Sequence, residues 1–182
     1  MGFERKTGSL LVLLLAMVLF ACAKPNLVVQ DGRNFTVDQR NEELFVYVDY
    51  HWKGLSFDDA VALEKAFVAW ADKQGVFVYA MGRFPAKRDW QLGFVATRLP
   101  EAEAFEGRKI GSLKIPAGDY ASLHTVGSVD NMFLYWKKFT KWIEEDGRKT
   151  DGPVLEIYPD ILKGLSDQET KGELRYRLLT EK

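Results

Sequence analysis

The sequence predicts an α+β domain made of two β-α-β-β modules with pseudo-two-fold symmetry. They form one antiparallel curved sheet with two helices on one face. Three observations predict it. His51-x-x-Gly54 ends the apolar stretch Leu44–Tyr50, and His124-x-x-Gly127 ends another, Tyr120–Leu123. After each Gly comes a helical pattern with a late Trp, Trp70 or Trp142. Each helix then meets a Gly, Gly75 or Gly147, followed by two apolar strand-like runs. Self-similarity at a long period marks a duplicated unit. Two such units side by side leave a cleft along their axis, a natural place for a small ligand.

Each element has its own justification. Leu44–Trp52 is rich in aromatic and β-branched residues and reads as a strand. Ser56 with Asp59 three residues on resembles an acidic capping box. Ala60, Leu63, Phe67 and Trp70 then share one helical stripe that ends before Gly75. Val76–Met81 and Trp90–Thr97 are strands, and the interior Gly93 marks a bulge or a close contact. Pro100–Arg108 is a charged connector. Ile115–Tyr120 is a turn leading into a strand that runs to Val126. A helix follows from about Val129 to Glu145. Its stripe is Met132, Trp136, Phe139 and Ile143, broadened by Phe133, Tyr135 and Trp142. Gly152-Pro153 breaks the chain before the strand Val154–Tyr158, and the last strand is Gly172–Leu179.

The N-terminus sets the expected compartment. Arg5 and Lys6 precede an unbroken apolar run, Leu10–Phe20, too short for a spanning helix and of signal-peptide length. The run stops at Leu19-Phe20-Ala21-Cys22, which resembles the lipobox of bacterial lipoproteins. That resemblance implies a signal peptide over 1–21, cleavage before Cys22 and lipidation of that Cys. A linker then runs over 22–43 and one domain over 44–179. The expected location is the cell envelope, tethered to a membrane outside the cytoplasm. Cys22 is the only cysteine, so no disulfide is expected. Losing Glu4, Arg5 and Lys6 takes the formal charge from −1 to −2, with no basic run, so no nucleic-acid partner is expected.

The run IPAGDYASLHTVG, the helix with a late Trp, DGPVLEIYPD and the final GELRYRLL together resemble the gyrase-inhibitor-like, or effector-binding, domain family. The resemblance covers about residues 44–179 and is strongest after Ile110. It implies two β-α-β-β modules about a pseudo-dyad, holding an amphipathic, often cationic small molecule between them. It also implies Glu173, Glu156 and Tyr158 as site residues. Strand alternation separates Glu173, Arg175 and Arg177 from Leu174, Tyr176 and Leu178. It likewise puts Val154, Glu156 and Tyr158 on the side away from Leu155 and Ile157. With apolar residues assigned to the helix side, the carboxylates point away from the helices. The expected cleft is therefore lined by Glu173, Glu156, Tyr158 and Arg175, with Phe77, Tyr79 and Met81 from the first half. A carboxylate beside aromatic rings suits an organic cation. Arg175 and Arg177 either pair with Glu173 internally or adapt the cleft to an acid or zwitterion.

Other chemistries have less support in the sequence. Duplication alone accounts for the equivalent positions of His51 and His124, so neither a metal nor a haem is read from them. No Gly-x-Ser-x-Gly elbow, Gly-rich phosphate loop or dinucleotide fingerprint occurs, and no cofactor is expected. A hydrolase would have to use Glu173 as general base with Tyr158, and a haem-binding protein would reuse the same scaffold.

Overall fold

The computed structural model describes residues 35–51, 57–86, 89–126, 132–163 and 171–179. The signal peptide, Cys22, the Ser56 cap and both His-x-x-Gly glycines lie outside the described residues. Among the described residues nine strands form one sheet: β1 (Phe35–Arg40), β2 (Glu43–His51), β3 (Phe77–Ala86), β4 (Asp89–Ala96), β5 (Ala104–Phe105), β6 (Arg108–Ile115), β7 (Gly118–Val126), β8 (Thr150–Tyr158) and β9 (Lys171–Leu178). Helix α1 (Phe57–Lys73) lies between β2 and β3, and helix α2 (Met132–Glu145) between β7 and β8. Among the described residues no helix is long and apolar enough to cross a membrane.

The two helices end in the same way. Gly75 adopts φ 63° and Gly147 φ 71°, the left-handed region where a Cβ is costly. Val76 N–H donates to Ala71 O and Gly75 N–H to Asp72 O; Arg148 and Gly147 repeat the pattern on Ile143 and Glu144. This paired arrangement is a Schellman cap, and its duplication explains the matching glycines. In α1, Asp58 and Asp59 sit in the first turn and Lys73 in the last, complementing the helix dipole.

The sheet order is β1-β7-β9-β8-β3-β4-β2-β6-β5, antiparallel throughout. The modules are β2-α1-β3-β4 and β7-α2-β8-β9, and they meet at the central pair β3·β8. Phe67 of α1 packs on Phe94 of β4, and Phe139 of α2 on Tyr176 of β9. The strand registers put Phe94 and Tyr176 on the same face, so both helices cover one side of the sheet, as expected.

The strands leading into the modules are exchanged. β1 precedes β2 but pairs with β7, while β6 precedes β7 but pairs with β2. Only two residues separate β1 from β2, so Arg40 and Glu43 lie within about 11 Å. Measured along the sheet, six strand spacings separate those strands, about 29 Å. The sheet must therefore curl, and it curls away from the helices. On the concave side Phe45, Met81, Val95, Ile115, Tyr120, Leu155 and Ile157 form a buried core.

Several expectations change here. Phe35–Arg40, placed in a linker over 22–43, is a strand whose Phe35 stacks on Trp142. The short β5 lies inside the expected connector Pro100–Arg108, and β6 adds a strand over residues 109–114, to which no element was assigned. Gly152-Pro153 lies inside β8 at a register shift and does not precede it. Gly93 is a close contact, because a Cβ there would sit 2.0 Å from Val46 O.

Candidate functional site

Two polar clusters lie on opposite faces of the sheet. The first is buried under the helices. Glu156, on central strand β8, is 8% exposed and accepts two hydrogen bonds. Trp136 Nε1 of α2 donates to Oε1 at 2.5 Å, and Tyr158 Oη donates to Oε2 at 2.6 Å. Glu64 of α1 is 6% exposed, and its Oε1 has no hydrogen-bond partner. Burial pushes the Glu156 carboxyl up to about 7 against the two hydrogen bonds. Burial and then the Glu156 charge push Glu64 up to about 8. Burial also raises Tyr158, helped by both carboxylates.

A row of rings leads to these carboxyls. Tyr50 stacks on Trp90 at 6.1 Å, Trp90 meets Phe84 edge-on at 5.1 Å, and Phe84 meets Trp136 edge-on at 5.3 Å. Tyr50 is buried, whereas Trp90, Phe84 and Trp136 are half-buried, so the rings beside Glu156 are partly open to solvent. Gly82, directly opposite Glu156, gives the Phe84 ring its room: a Cβ there would lie 3.0 Å from the ring. A carboxylate at the end of an aromatic row is chemistry for an organic cation.

The second cluster lies on the concave face. Arg175, 3% exposed, grips Glu173 with Nε and Nη2, each at 3.0 Å. Its Nη1 reaches Glu43 of β2 at 3.2 Å, and Tyr79 Oη donates to Glu43 at 2.5 Å. Ser122 Oγ at 2.7 Å and Arg40 at 3.3 Å complete the shell of Glu173. Burial alone would raise the Glu173 carboxyl, but Arg175, Ser122 and Arg40 outweigh it and hold it low. Arg40 also reaches Asp38 of its own strand at 3.4 Å, and the links join β1, β7, β9, β2 and β3. The cluster closes the curled sheet.

The expected site residues are thus divided. Glu173, Arg175, Tyr79 and Met81 share the concave face; Glu156 and Tyr158 lie beneath the helices. The expected facing of β8 is reversed. Leu155 and Ile157 pack in the concave core, and Glu156 bonds to a helix. Both faces of this strand are buried, so its apolar residues do not mark the helix side. Phe77 also changes face. A register shift between Phe77 and Tyr79 turns Val78 outward and sets Phe77 against Phe94 under the helix. Glu173 and Tyr158, nominated together for hydrolysis, lie on opposite faces and do not converge. His51 is exposed and bonded to Asp89 at 3.0 Å. Among the described residues no group of three His, Cys, Asp or Glu side chains is placed to hold a metal.

Sequence reasoning passed over Glu64, Glu43 and Arg40. A signal for Glu64 was present. It stands four residues after Ala60 and four before Val68, inside the buried stripe of α1. The offset of 72 that joins Trp70 to Trp142 and Gly75 to Gly147 also joins Glu64 to Trp136. Corresponding positions of the two helices therefore both act on Glu156, Trp136 through a hydrogen bond and Glu64 through its charge.

Residues 97–174 match a GyrI-like small molecule binding domain. The two helices and the open, curved antiparallel sheet are consistent with that GyrI-like fold. The EcmrR–DNA complex has a chain that superposes with TM-score 0.69 at 14% identity, covering 94% of this chain. The present chain spans 65% of the length of that one. The EcmrR C-terminal domain superposes with TM-score 0.66 at 13% identity, covering 81% of this chain and 98% of that one. SAV2435 bound to tetraphenylphosphonium gives 0.53 at 10% identity, covering 80% and 93%. At these identities the likeness is one of fold. No curated protein matches the sequence.

Proposed function

We propose that this chain captures a small amphipathic organic cation beneath its helices, with Glu156 as counter-ion and Trp136, Phe84 and Trp90 as walls. One observation carries the reading. Glu156 is buried on the central strand, beside a row of half-buried aromatic rings, and its hydrogen-bond donors among the described residues, Trp136 and Tyr158, are neutral. A buried carboxyl without a cationic partner is costly to ionise, and a cation relieves that cost. Because Glu156 is 8% exposed, a ligand reaches it by displacing the half-buried Trp136 ring. The tetraphenylphosphonium held by SAV2435 on a similar fold supports a lipophilic cation as the ligand class. The proposal includes capture outside the cytoplasm, by a domain anchored to a membrane through lipid on Cys22; the lipobox-like Ala21-Cys22 supports that part.

Calorimetric titration of a cationic aromatic dye tests the site. Glu156→Gln should weaken binding by about tenfold or more, whereas Glu173→Gln should leave it unchanged. A loss confined to Glu173→Gln would move the site to the concave face. For the anchor, Cys22→Ser should release the protein from the membrane fraction, and full retention would contradict lipidation.

A further inference from the structure

We infer that the Glu156 pocket selects cations carrying at least two N–H bonds, such as a protonated primary amine or an amidinium, over quaternary cations. The inference rests on Glu156 being the counter-ion and concerns what else the site demands. Charge alone would be met by any cation, and the acceptors decide among cations. Glu156 Oε2 is held by Tyr158 and Oε1 by Trp136. When the Trp136 ring gives way, Oε1 becomes an open acceptor. Glu64 Oε1 is an open acceptor already, buried and unpartnered. The Glu64 carboxyl, buried under the same helices, acts electrostatically on both Glu156 and Tyr158. Two buried carboxyl oxygens, one from α1 and one from β8, are thus acceptors that an N–H-bearing head can satisfy. A quaternary head supplies charge and leaves both oxygens unbonded and dry, which a buried polar site penalises heavily.

The probes are 1-naphthylmethylammonium and (1-naphthylmethyl)trimethylammonium, which share ring and charge and differ in N–H. The trimethylammonium head is the less hydrated, so a site offering charge alone binds it more tightly. Wild-type protein should instead bind the ammonium about tenfold or more tightly in calorimetric titration. In Glu64→Met the preference should fall to about twofold or less, while the trimethylammonium affinity holds or rises. Equal affinities in wild type, or a preference that survives Glu64→Met, would overturn the inference. The wild-type comparison needs no variant, so a poorly folded Glu64→Met does not remove the test. Glu156→Gln separates the two levels: weaker binding of both probes without any wild-type preference keeps the pocket and discards the amine selectivity. Failure of both probes to bind wild type would sink the pocket and the selectivity together.

Discussion

Trp136 donates its indole N–H to Glu156 Oε1 at 2.5 Å, so one half-buried ring both covers the carboxyl and bonds to it. Trp136→Phe keeps the cover and removes the donor. Leaving a buried acceptor short of a partner should cost about 1–2 kcal/mol of stability, read from urea unfolding monitored by circular dichroism. It should also raise the Glu156 carboxyl above its present value near 7, because the indole bond now lowers it. Unchanged stability would mean that the indole bond contributes little.

Stability of the ligand-free protein should fall as pH rises from 4.5 to about 8. Glu156 and Glu64 both have folded pKa values above the ordinary 4.5, near 7 and 8. The folded protein therefore holds more protons than the unfolded chain over that range. Their contribution is complete below 4.5 and is lost as pH climbs through 7 and then 8. Glu173, held low, works in the opposite sense, and its contribution fades only on acidification below the usual carboxylate range. Thermal melts should show a decline on the order of 5 °C across the window, and Glu64→Met should flatten it. A flat wild-type profile would contradict the burial of the pair.

Glu173→Gln should destabilise the domain by roughly 3 kcal/mol, because Arg175 stays buried with one of its two anionic partners gone. For a chain of this size that is a loss on the order of 10 °C in melting temperature. Ligand affinity at Glu156, on the other face, should not change. A variant as stable as wild type would remove the closing role assigned to the concave cluster.

Duplication and helix ends were legible because they rest on local signals: the matching glycines, the late tryptophans and the 3.6-residue stripes. The central fold followed from those signals. The edge strand β1 was not legible, since FTVDQR is short and polar and its partner β7 lies about eighty residues away. The curl was hidden for the same reason, because strand exchange is a property of pairing and not of composition. At the site, residue identities were readable and their faces were not. Leu155-Glu156-Ile157 alternates, but both sides of β8 are buried, so alternation tells which residues share a face and not which face meets the helices. The bulge at Val78 defeated the same argument for Phe77, because one extra residue reverses every side chain beyond it. Glu64 was visible as a charge within an apolar stripe, a place where a carboxyl is costly to bury.

A structure of the protein with a bound cationic aromatic would locate the binding site outright. The cation's centre should lie within about 6 Å of the Glu156 carboxyl, on the helix-covered face, with the Trp136 ring displaced and Phe84 against the ligand. Arg175 should still grip Glu173 on the opposite face. A ligand seated against Glu173 and Tyr79 on the concave face, with Trp136 still bonded to Glu156, would contradict a site at Glu156.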